Sequence, residues 1–122
     1  MGIDQTRIIG TGLLYLFIFI SGFWLSKSGK PYSVILLTIH KLISLAAVVF
    51  LAITIHRINQ VARLSAAELI AGVVTGLFFL DAIVSGGLLS TDKPMPVVIL
   101  RMHQITPLLT VLSTAVTLYL LQ

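Results

Sequence analysis

The sequence predicts an all-α integral membrane protein, a four-helix bundle built from a duplicated helical hairpin. Three observations predict it: a composition suited to lipid, four long apolar runs, and an internal repeat that spans nearly the whole chain. Of 122 residues, 57% are apolar and only 10% are charged. Soluble domains carry roughly 25% charged residues, and the mean hydropathy of +1.08 lies on the membrane side.

Four runs are long enough to cross a hydrocarbon core, which takes about 20 apolar residues per helix. They cover Ile8 to Leu25, Val34 to Ile55, Leu69 to Leu89 and Val97 to Leu121. Backbone polar groups in lipid must find partners within their own segment, so each run is read as a helix. Short connections and two short tails remain, and the chain is read as a single transmembrane domain over 1–122. There is no room for a soluble catalytic domain.

Eight Lys and Arg give a net charge of +4. They are dispersed near helix ends, the ordinary headgroup-level distribution, so the partner implied is the lipid bilayer and not nucleic acid. The absence of cysteine excludes disulfides, thiolate metal sites, covalent haem attachment and iron-sulfur clusters. The opening MGIDQT matches the N-myristoylation pattern, but a spanning run follows at once and an acyl anchor would add little.

The repeat is the most specific signal. Over residues 11 to 26, TGLLYLFIFISGFWLS, residues 75 to 90, TGLFFLDAIVSGGLLS, share Thr-Gly, Ser-Gly and the closing Leu-Ser in order. A one-residue gap in the next loop then aligns Lys30-Pro31 with Lys93-Pro94 and His40 with His103. Repeat one runs from about 8 to 58 and repeat two from about 68 to 122. Each contains two helices, so both enter the membrane from the same side and are related by an axis along its normal. The first run matches the third, a mature span, which argues against a cleaved signal peptide.

His40 and His103 each follow their lysine by ten residues and run in the same direction. At about 1.5 Å per residue they lie on the order of 10 Å below the loop, at equal depth. An ionisable residue inside a span points to function, and four-helix bundles build cofactor sites from facing side chains. Opposed imidazoles can take both axial positions of one haem iron, an arrangement suited to electron transfer.

Ser21-Gly22 and Ser85-Gly86 fall at the same depth on the first and third helices. They are read as cofactor-binding residues that leave space for a flat ring, beside the alternative of ordinary small-residue helix packing. Lys27, Lys30, Lys41, Lys93 and Arg101 gather on the histidine side, where they either meet haem propionates or simply snorkel to the interface. Arg101, less than a turn from His103, is the favoured carboxylate partner. Pro107 removes the N–H that would bond the His103 carbonyl and is expected to bend the fourth helix.

A histidine and a deep carboxylate do not repeat. His56, sixteen residues beyond His40, cannot share its metal and reads as interfacial, with a quinone head group as the other role. Asp81, where the first repeat has Phe17, must be neutral, paired or inward-facing. It reads as a hydrogen-bonding group near the cofactor or a proton relay. Glu68 follows Ser65 as in a capping box.

With LLTIHKL around His40, ILRMHQI around His103 and the two Ser-Gly pairs, the chain resembles the membrane cytochromes of b type. The resemblance is one of architecture and motif. The wider family commonly carries two haems, with two histidines on each ligand helix; here a fourth histidine at the level of His56 is absent, and one haem b per chain is expected. The resemblance also implies electron exchange with quinone or quinol or with a redox partner subunit; a homodimer is the other partnership expected. The expected setting is a prokaryotic cytoplasmic membrane, with the cation-richer histidine face toward the cytoplasm. Two other classes stand beside it: a histidine-based site for Zn, Cu or Ni, and a non-catalytic assembly or anchor subunit.

Overall fold

A computed structural model describes residues 5–91 and 93–122. The first four residues of the MGIDQT pattern lie outside them. Four helices run in order: α1 (Gln5–Ser28), α2 (Val34–Val61), α3 (Ala66–Leu89) and α4 (Val97–Leu120). At about 1.5 Å per residue a 24-residue helix such as α1 is about 36 Å long, more than the roughly 30 Å hydrocarbon core. All four are long and apolar enough to cross a membrane.

The helices extend past the apolar runs because polar residues at their ends still favour helix and caps set the limits. α1 stops at Gly29, whose φ of 69° is the left-handed conformation of a helix-ending glycine; its N–H reaches the Leu25 carbonyl at 3.0 Å. Ser33 caps α2 by accepting from the Leu36 N–H at 3.3 Å. α2 then continues through His56 and Arg57 to Val61, because nothing in that stretch breaks it. At α3 the capping box is complete: the Ser65 N–H donates to Glu68 Oε1 at 2.8 Å, and the Glu68 N–H donates to Ser65 Oγ at 3.2 Å. α4 continues unbroken through Pro107.

Packing is organised by hairpin. α1 lies against α2 and α3 against α4, the latter more extensively, and between hairpins the most extensive backbone approach is α2 on α3. The core cluster is Ala47, Leu51, Phe79 and Leu118, with Leu14, Tyr15, Ile18, Val48 and Ile55 packed around it. Otherwise the interior is rich in small hydroxyls. Thr11, Ser21, Thr54, Thr75, Ser85, Thr106, Thr110, Thr114 and Thr117 are buried, while the outer surface is Leu, Ile, Val and Phe. This is the distribution expected where the solvent is lipid and helices associate through close packing and hydrogen bonds.

The repeat is visible in the bonds. Thr11 donates to the Arg7 carbonyl and Thr75 to that of Ala71, both at 2.8 Å. Thr54 donates to the Phe50 carbonyl and its counterpart Thr117 to that of Ser113. Two pairs of repeat-equivalent residues meet across the pseudo-axis. Tyr15 stacks on Phe79 with ring centres 5.8 Å apart, and His40 meets His103 above them.

Candidate functional site

α2 and α4 present the two histidines from opposite hairpins, and α1 and α3 supply what holds each ring. The imidazole centres are 6.4 Å apart with planes at 80°, and both side chains are half-buried.

The protonation of each ring follows from its partners. His103 Nδ1 lies 3.0 Å from the Ala82 carbonyl; a carbonyl only accepts, so Nδ1 carries the proton. Ser85 Oγ is 3.1 Å from the same nitrogen while its own proton points to the Ala82 carbonyl at 3.2 Å, so it too accepts from Nδ1–H. On the other hairpin, Ser21 Oγ lies 2.8 Å from the Phe17 carbonyl and 3.0 Å from that of Ile18. With His40 in the tautomer of its repeat counterpart His103, the serine proton stays on a carbonyl and the oxygen accepts from His40 Nδ1–H at 2.8 Å. In both rings Nε2 is therefore the lone-pair nitrogen. Among the described residues no protein hydrogen bond reaches either one. Metal-bound histidine characteristically has this pattern, one nitrogen donating to the protein and the other directed to the metal.

Gly22 and Gly86 face the same rings. A Cβ at Gly22 would stand 3.1 Å from His40 Cε1, and one at Gly86 only 2.7 Å from His103 Cε1. The glycines thus make room first for the imidazoles, which lie directly on α1 and α3. Sequence reading placed these glycines at the depth of the histidines, and their contact is with the imidazole itself.

The cations divide. Lys41 donates to Ser90 Oγ at 3.1 Å and Lys30 to the Thr91 carbonyl at 3.3 Å, both crossing from one hairpin to the other. Lys27 lies over the Phe23 ring, and Arg101 stays exposed at the rim. Asp81 is inward as expected and accepts from Thr106 Oγ1 at 2.7 Å; the next residue, Ala82, holds His103. His56 is exposed at the far end of α2, away from the pair.

Sequence reasoning missed two features. Tyr15 shares a hydrogen bond with Thr114 across the hairpin boundary. Thr106, Thr110, Thr114 and Thr117 form one buried stripe on α4, and their helical spacing was visible in the sequence. At the opposite face, Arg7 donates to Thr54 at 3.3 Å and lies over the Phe50 ring.

The donor set discriminates among ligands. Among the described residues no group of three or more His, Cys, Asp or Glu could hold a metal ion. A zinc site takes three or four protein ligands; a haem iron, already held by four macrocycle nitrogens, needs two axial ones. The two rings meet edge to face, each held by its Nδ1 on its own hairpin. No protein-family model, curated protein or solved structure matches the chain.

Proposed function

We propose that this protein is a membrane b-type cytochrome in which His40 and His103 hold one haem b through their Nε2 atoms. It carries electrons within the bilayer and exchanges them with quinone or with a partner redox subunit. The observation that carries the reading is the matched pair of Nδ1-anchored imidazoles that meet across the pseudo-axis, one from each hairpin. Bound haem would supply one-electron chemistry. The chain's own contributions are two neutral donors, serines and carbonyls that fix their tautomer, and glycines that let the rings lie close to α1 and α3. Lys27, Lys93 and Arg101 on the loop side are the groups available to propionates. The cation excess on that face supports its placement toward the cytoplasm.

A second reading has one observation in its favour: the glycine–imidazole contacts would also serve simple packing in an assembly or anchor subunit. Absorption spectroscopy separates the readings. Protein from haem-replete cells is expected to show a Soret band that disappears in His40→Ala and in His103→Ala. A colourless wild-type protein supports the packing role, and stoichiometric Zn, Cu or Ni in that sample supports a metal site.

A further inference from the structure

His40 stands on the first hairpin and His103 on the second, so a group held between them lies between the hairpins. From the bilayer the way to it runs along one of the two edges where the hairpins meet, α2/α3 or α4/α1. The repeat makes these edges equivalent, and the structure ties them differently. The α2/α3 edge is held at both ends. At the face opposite the histidines the connection 62–65 joins the two helices directly. At the histidine face Lys41 donates to Ser90 Oγ and Lys30 to the Thr91 carbonyl. Ile55 Cδ1 also lies 3.6 Å from where a Cβ on Gly72 would stand.

The α4/α1 edge has no such ties beside the histidines. There the counterparts of Lys41 and Ser90 are Gln104 and Ser26; both are exposed, and among the described residues no hydrogen bond joins them. The counterparts of Lys30 and Thr91 are Lys93 and Lys27, so two cations stand where the other edge sets a donor against an acceptor. Lys27 turns instead to the Phe23 ring on its own helix. α1 and α4 are not consecutive in the chain. Tyr15 and Thr114 pin them together, at a level six residues, or about 9 Å, from that of Ser21. Between the hairpins the backbones approach most extensively on α2/α3. Two rigid bodies tied along one edge and pinned once on the other pivot about the tied edge, since parting the other breaks the fewest bonds.

We infer that the two hairpins pivot on the α2/α3 edge and part along α4/α1, and that this parting is the lateral gate through which a flat, lipid-soluble macrocycle reaches and leaves the His40–His103 pair. Lys30 and Lys41 are then hinge ties, and the Tyr15–Thr114 pair is the latch that closes the gate. The inference rests on the haem reading for what passes the gate. The pivot itself does not, so the two fail separately.

The chain has no cysteine, so introduced thiols are the only ones. Spin labels on Trp24→Cys with Ile105→Cys, and on the repeat-equivalent Leu88→Cys with Leu42→Cys, report the two edges from exposed positions and leave the lysine ties in place. In lipid nanodiscs the α4/α1 pair is expected to give the broader distance distribution, extending to longer separations. Equal widths, or a broader α2/α3 distribution, overturn the pivot. Passage is tested by bridging Ser26→Cys to Gln104→Cys with a reducible bifunctional thiol reagent. The bridged protein is expected to lose haem transfer to excess apomyoglobin, followed at the Soret band, and reductant is expected to restore it. Transfer as fast in the bridged as in the reduced protein overturns the route. A wild type without haem removes the haem reading, and the distance distributions still decide the pivot.

Discussion

The two hairpins share the surroundings of their histidines and the back-bonded pairs Thr11/Thr75 and Thr54/Thr117, and they differ along the seam between. Ser21, Gly22 and His40 in the first correspond to Ser85, Gly86 and His103 in the second, with the same Nδ1 contacts. Below them, the second buries Thr106, Thr110 and Thr114 where the first has Ile43, Ala47 and Leu51, and carries Asp81 where the first has Phe17. The difference teaches that the contacts around the imidazoles are duplicated together with the threonine back-bonds near the opposite face. The helix seam, by contrast, accepts either apolar packing or back-bonded hydroxyls, provided each buried polar group has a partner.

The largest effect that sharpens this comparison is steric. Gly86→Ala would press a methyl to 2.7 Å from His103 Cε1, Gly22→Ala to 3.1 Å from His40. Overpacking costs about 1–3 kcal/mol. Gly86→Ala is expected at the upper end and Gly22→Ala at the lower, in denaturant unfolding in detergent. Equal costs would break the idea that the second cradle is the tighter.

An intermediate effect tests the divergent seam. Tyr15 pairs with Thr114 at the place where its counterpart Phe79 neighbours Leu51, the counterpart of Thr114. Thr114→Leu leaves a buried phenol without its partner, at a cost of about 1–3 kcal/mol. Adding Tyr15→Phe reproduces the Phe79 and Leu51 combination found at the equivalent place and is expected to recover most of that loss. A double variant no more stable than Thr114→Leu would show that the hydroxyl pair does more than satisfy itself.

The smallest effect lies far from the cradle. Ser65→Ala removes the α3 cap and is expected to cost about 1 kcal/mol. It should leave the histidine pair's spectrum unchanged, and a spectral change would show that α3's start is coupled to its far end.

Much of this architecture is legible in the sequence, because lipid imposes length and apolarity on each span. The repeat also fixes histidine depth without reference to tertiary contacts. What stays hidden depends on inter-helix register. That Gly22 and Gly86 face imidazole, that Lys41 crosses to Ser90, and that Tyr15 finds Thr114 all require knowing how one hairpin is turned toward the other. The helix ends beyond Ile55 and before Leu69 were hidden for a different reason: polar residues such as His56 and Glu68 continue a helix without adding to an apolar run.

The most direct measurement is haem content per chain in the purified protein, by pyridine haemochrome, for the wild type and the two single-histidine variants. The expected result is one haem b per wild-type chain with a low-spin, bis-imidazole spectrum, and loss of that species in both His40→Ala and His103→Ala. A wild type without haem, or a low-spin spectrum unchanged in either variant, would contradict the assignment of this pair as its ligands.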